Sequence, residues 1–164
     1  MANSITANIL QKLGARLTLE DVDGVGTNVS IDITEFDRVI NLTAASTPAI
    51  SKIAYDAHTL AGTPETIDLT AGVNPLEGGT IDGTGLKVQA ALFYVSNATS
   101  TVTIDVTSAN PIDAFGAAFS VVLAENGGAV VYAPEGGSDI SATVKTIEFN
   151  GTAGDIINYV ILMG

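Results

Sequence analysis

Leu86-Lys87-Val88-Gln89-Ala90-Ala91-Leu92-Phe93-Tyr94-Val95, then Ser96-Asn97-Ala98-Thr99-Ser100, then Thr101-Val102-Thr103-Ile104-Asp105-Val106-Thr107: this stretch decides the fold class. In its first part, long apolar side chains stand beside β-favouring aromatics, the pattern of a strand covered on both faces. The small polar residues that follow tolerate a turn. The last part alternates strictly and puts Val102, Ile104 and Val106 on one face, the mark of a strand with one wet side and one dry side. Together the three parts predict a β-hairpin. Nothing in it pairs a nucleophile with a base, so the centre of the chain specifies a scaffold and not a chemistry.

Short runs of the same kind lie on both sides of this centre. Val29-Ser30-Ile31-Asp32-Ile33-Thr34, Arg38-Val39-Ile40-Asn41-Leu42-Thr43 and Thr66-Ile67-Asp68-Leu69-Thr70-Ala71 alternate upstream, as strands do. Residues 51–60 hold Ile53, Tyr55 and the sole histidine, His58. Downstream, residues 117–124 and 129–133 flank Glu125-Asn126-Gly127-Gly128, and Asn-Gly is a strong hairpin signal. Residues 143–149 and 156–163 close the chain as strands around Asn150-Gly151-Thr152-Ala153-Gly154, and the last is expected to pair within a sheet up to Gly164. Residues 72–85, with Pro75, Gly78, Gly79, Gly83 and Gly85, read as a long surface loop. Turn signals at this spacing predict an all-β fold: a single antiparallel β-sandwich of jelly-roll type over residues 21–164.

Residues 1–20 read in two ways. Ser4 is placed to cap a short helix over residues 5–19, with Ile9, Leu10, Leu13 and Leu17 on one stripe. Gly14 weakens that helix, and the alternative is an N-terminal arm that orders against a neighbouring subunit.

Composition narrows the function classes. The 164 residues fit one domain and one core. Charged residues make up 15%, against ~25% in ordinary soluble domains. Either the surface is uncharged but polar, or much of it is covered by copies of the chain or by a partner. The formal charge of −12 repels nucleic acid and anionic membranes, and Lys12, Arg16, Arg38, Lys52, Lys87 and Lys145 never cluster into a phosphate-tracking stripe. With no cysteine, disulfides and thiolate metal sites are excluded. The first residues carry neither a basic region nor an apolar one, which points to a protein kept in a cytoplasm or exported without a cleaved signal.

The chemistry-bearing residues converge nowhere in the sequence. His58 has no partner cluster and no Gly-x-Ser-x-Gly elbow to serve. Asp21 and Asp23 match part of a calcium loop but lack its terminal bidentate Glu. Asp32, Asp68 and Asp105 are expected on wet strand faces, not as a catalytic carboxylate pair. Sequons at Asn28, Asn41, Asn97 and Asn150 follow from an Asn- and Thr-rich composition. Tyr55, Tyr94, Tyr132 and Tyr159 offer single contacts and not a stacking platform for sugars. No catalytic, cofactor-binding or metal residue is assigned, and no cofactor is expected.

Through Ser46-Thr47-Pro48-Ala49, through the run at 66–71 leading into the Gly-rich loop, and through the closing strand up to Gly164, the chain resembles the small virion structural proteins of tailed bacteriophages that decorate or cement a capsid. The resemblance is spread over the chain and maps no motif residue by residue. It implies a non-enzymatic β-sandwich, assembled in the host cytoplasm and located on the virion. It also implies a homotrimer on threefold or quasi-threefold capsid positions, bound to the major capsid protein, with the N-terminal arm against the shell. The alternative class is a tail-fibre or lectin-like carbohydrate-binding sandwich.

Overall fold

A computed structural model describes residues 6–19, 29–74, 79–134 and 137–164; of residues 8, 10–19, 29–38 and 74 it describes the backbone. The regular structure is nearly all strand. In chain order, β1 (Thr6–Leu19) pairs antiparallel with β2 (Val29–Thr43) as a two-stranded ribbon. After it come β3 (Lys52–Thr59), β4 (Glu65–Asp68), a 3-10 turn over Leu69–Ala71, and the short pair β5 (Gly72–Asn74) and β6 (Gly79–Ile81). The chain then runs through β7 (Val88–Asn97), β8 (Thr101–Asp105), β9 (Ser120–Ala124), β10 (Gly128–Tyr132), β11 (Thr146–Asn150) and β12 (Ile156–Met163).

Eight of these strands form two four-stranded antiparallel sheets, ordered β10-β7-β12-β3 and β4-β11-β8-β9. Their pairings are nested. β8 pairs with β9, β7 with β10, β4 with β11 and β3 with β12, while β12 also pairs with β7 and β11 with β8.

One core joins the sheets. Phe93, Val95, Ile157 and Ile161 from the first meet Val102, Ile104, Ile147 and Phe149 from the second, all fully buried. The Phe149 ring lies 6.2 Å from that of Phe93, edge-on, and 6.1 Å from that of Tyr159, distances at which aromatic pairs attract beyond the area they bury. A smaller cluster sits on the far side of the β10-β7-β12-β3 sheet. There Ile9 and Leu42 at the base of the ribbon pack with Ile50, Ala90 and Leu162.

Several expectations are corrected. Residues 86–107 do not form a hairpin: β7 and β8 lie in different sheets, and residues 98–100 turn the corner between them. The Asn126-Gly127 turn is tight, with the Gly127 N–H donating to Ala124 O at 2.8 Å and Asn126 at φ 62°, yet it too carries the chain from one sheet to the other. Asn tolerates that left-handed backbone, which is why the residue pair signals a sharp reversal without saying what lies beside what. The helix predicted over residues 5–19 is absent. Its stripe of Ile9, Leu10, Leu13 and Leu17 belongs to β1, whose register runs from Thr6 opposite Thr43 to Leu19 opposite Val29, with an irregularity between Leu13 and Ala15 around Gly14. Pairing with the β-branched-rich β2 overrides the local helical period. The predicted loop at 72–85 holds the β5–β6 pair instead.

Other expectations hold. β12 spans Ile156–Met163 as read, and Gly164 exchanges main-chain hydrogen bonds with Lys87 at 3.0 Å in both directions. In β8, Val102 and Ile104 are buried, with Val106 just beyond.

Candidate functional site

His58 lies on β3, the edge strand that approaches β4 of the other sheet. Its Nε2 is 3.3 Å from Glu65 Oε1 and its Nδ1 is 3.9 Å from Asp56 Oδ2, while its ring sits 6.0 Å from that of Phe149. Nε2 is buried without a hydrogen bond, so the Glu65 contact is proximity, not directional bonding. Among the described residues no group of three or more His, Asp or Glu side chains is placed to hold a metal ion. Asp21, Asp23 and Asn28 fall outside the described residues.

The carboxylates have a structural role that the alternation did not announce. Ile-Asp-x-Thr recurs at 31–34, 67–70, 81–84 and 104–107. In the last three, one aspartate oxygen accepts both the backbone N–H and the hydroxyl of the threonine two residues on, at 2.8 and 2.7 Å for Asp68, 2.8 and 2.5 Å for Asp82, and 3.1 and 2.7 Å for Asp105. This closure turns the chain at a strand end while the preceding isoleucine stays in the core.

Two more aspartates pin loops across longer separations. Asp113 accepts the backbone N–H and the hydroxyl of Ser138, each at 2.7 Å. Asp155, with no exposed surface, accepts backbone N–H groups of Thr152 and Thr99, each at 2.8 Å, and so fastens the β11–β12 corner to the β7–β8 corner.

These hydrogen bonds account for the titration behaviour. The Thr152 N–H, with help from Thr99 and against burial, holds the Asp155 carboxyl below the usual carboxylate value. Ser138 does the same for Asp113, and Thr84 for Asp82. Burial works to raise the Asp68 carboxyl, but hydrogen bonds from Lys145, at 2.6 Å, and from Thr70 outweigh it and hold it low. Tyr159 is pushed up to about 12 by burial and then by the Asp56 charge, and so stays a neutral core residue.

Asp105 is on the outward face of its sheet, yet it is covered there and only 8% exposed. It stands opposite Glu148, and the Asn150 amide bridges the two carboxylates at 3.2 and 2.7 Å. The two carboxylates thus share a donor from their own sheet.

The features that stand out are the outer faces of the two sheets. Antiparallel register sets opposite residues on the same face. On the β10-β7-β12-β3 sheet the outward rows are Tyr132-Ala90-Leu162-Ile53, then Val130-Leu92-Val160-Tyr55, then Gly128-Tyr94-Asn158-Ala57. None of these positions is charged. The ribbon base covers the first row, and beside it an apolar groove of about 340 Å³ opens, lined by residues that include Ala7, Ile9, Leu92, Val130 and Val160. Leu92 is 41% exposed, Val130 42% and Tyr94 37%. Tyr55, Tyr94 and Tyr132 therefore share one face, a grouping hidden in the sequence because they come from three separate strands.

On the β4-β11-β8-β9 sheet the outward rows run Thr66-Glu148-Asp105-Ser120 and Asn150-Thr103-Val122, with Asp68 opposite Thr146 at one end. This second face is polar and acidic. Asn41 and Asn97 are exposed, the latter donating to Gly154 O at 3.1 Å, and Asn150 is half-buried.

Comparison with protein-family models, with curated proteins and with solved structures yields no match.

Proposed function

We propose that this chain is a non-enzymatic virion structural protein that decorates and stabilises a bacteriophage capsid as a homo-oligomer, a trimer, seated on the major capsid protein. The observation that carries the reading is the uncharged outer face of the β10-β7-β12-β3 sheet. A chain of net charge −12 that leaves Leu92, Val130 and Tyr94 more than a third exposed in one connected area is shaped to be covered.

The nested strand order supports a jelly-roll reading of the two sheets. A long hairpin with β8 and β9 at its tip, folded over so that successive strands change sheet, yields the two interlocked orders seen here. Viral capsid and lectin domains both use that architecture, so the fold alone does not choose between them. The ribbon adds weight on the capsid side. At 15 residues β2 would reach ~50 Å, and a two-stranded ribbon of that length is marginal in water without something to lie against.

The test is co-sedimentation with capsid shells that lack the protein. Saturable binding that raises the temperature at which the shells break open is the expected result. Shells that neither bind the protein nor gain stability overturn the reading.

A carbohydrate-binding module is the second reading, favoured by the shared face of Tyr55, Tyr94 and Tyr132. Glycan-array signal lost on Tyr94→Ala supports it, and an array without signal removes it.

A further inference from the structure

We infer that a second copy of this chain docks on the outer face of the β10-β7-β12-β3 sheet, over the row Val130-Leu92-Val160-Tyr55 and the groove beside the ribbon base. The inference deepens the reading above and rests on its claim of self-assembly.

Sequence and structure disagree about one strand in a way that points to a missing cover. The β7 sequence is that of a strand buried on both faces. In the single chain that holds only for Val88, Gln89, Ala90 and Ala91, while Leu92 and Tyr94 lie open to solvent. Strands that need only one dry face alternate, as β8 does. The outward half of β7 has the residues of an interior without its neighbours.

Charge selects the neighbour. Two copies at −12 repel wherever their charges come within the ~8 Å screening length of physiological salt. They can approach only where charge is missing, and the outward rows of this sheet have none. The outer face of the other sheet, with Asp68, Asp105 and Glu148, turns a second copy away and would draw a cationic partner instead. The docking area also continues a contact already made. The groove runs on from the cluster of Ile9, Leu42, Ile50, Ala90 and Leu162, so a second copy would extend an existing apolar seam.

The experiment is the solution mass of the full chain by light scattering, for the wild type, Leu92→Glu, Val130→Glu, Leu92→Ser and, on the opposite face, Val122→Glu. The wild type is expected at a multiple of the 16.7 kDa chain. Leu92→Glu and Val130→Glu each weaken association ~100-fold or more, because assembly buries a carboxylate without a partner. Leu92→Ser weakens it less, and Val122→Glu leaves the mass unchanged. Leu92 and Val130 are over 40% exposed in the single chain, so far-ultraviolet circular dichroism should be unaltered. If Leu92→Glu loses its fold, Val130→Glu and Leu92→Ser decide. An assembled wild type whose mass survives these variants puts the contact elsewhere and sinks this inference while self-assembly stands. A wild type that stays at the single-chain mass at high concentration sinks both.

Discussion

The two sheets share a core and differ in what they turn to solvent. The β10-β7-β12-β3 sheet presents rows of Val, Leu, Ala and Tyr without a charge, and the β4-β11-β8-β9 sheet presents Thr, Asn, Asp and Glu, with carboxylates tied into strand-end turns. The acidic face satisfies its own groups: Asp68 by Thr70 and Lys145, Asp105 by Thr107 and Asn150. On the apolar face the ribbon base packs over the first row and part of the second, while Leu92 and Val130 stay over 40% exposed. One face ties down its own polar groups, and the other leaves Leu92, Val130 and Tyr94 more than a third exposed, which is the basis of the proposal that a second copy covers it. Low charge content in a chain this size thus has a location, which composition alone does not supply.

The largest expected effect tests the shared floor under both faces. Phe149 has no exposed surface and contacts the rings of Phe93, Tyr159 and His58. Phe149→Ala should destabilise the fold by about 3–5 kcal/mol in urea unfolding, and should weaken assembly only through that loss. A Phe149→Ala chain that keeps its stability would mean the sheets do not depend on one core.

Next comes the corner where the sheets are fastened. Asp155→Asn replaces a carboxylate that accepts two N–H groups and should cost about 1–3 kcal/mol at neutral pH. The sign with pH follows from the direction of the shift. A carboxyl held low in the folded state contributes stability above its unfolded value of ~3.9, and that contribution disappears as pH falls through the folded value. The gap between wild type and Asp155→Asn should therefore close below about pH 4. A gap of constant size from neutral to acid pH would show that the ionised carboxylate is not its source.

The acidic face offers the smaller effect. Lys145 and Asp68 are 25% and 34% exposed in their side chains, so Lys145→Met should cost about 0.2–1 kcal/mol, less in high salt. Assembly should respond to salt in the opposite sense, strengthening as the repulsion between copies is screened. Association that weakens with salt would mean the acidic face makes the contact.

Which parts of this were legible in the sequence follows from the range of each signal. Alternation in Val102-Thr103-Ile104 and in 156–163 names the residues that face the core, because side-chain direction is local. It does not name the strand alongside, so both apparent hairpins, at 96–100 and at Asn126-Gly127, proved to be corners between sheets. The N-terminal stripe fits a helix until β2 is supplied as a partner, and that pairing reaches as far as Thr6 to Thr43. The three outward tyrosines and the uncharged rows form only when β3, β7, β10 and β12 are laid side by side. One signal was available and local: the recurrence of Ile-Asp-x-Thr, whose spacing is that of an Asx-type turn.

The most direct measurement of the central claim uses the absence of cysteine. A thiol introduced by Leu92→Cys sits on the apolar face and one introduced by Val122→Cys on the acidic face; in the single chain the native residues are 41% and 60% exposed, so both thiols should be open to a maleimide. If copies dock on the apolar face, labelling at position 92 is slowed at least ~10-fold relative to position 122 at concentrations where the chain assembles, and the two rates converge on dilution to single chains. Equal rates at the two positions in the assembled protein would contradict docking on that face.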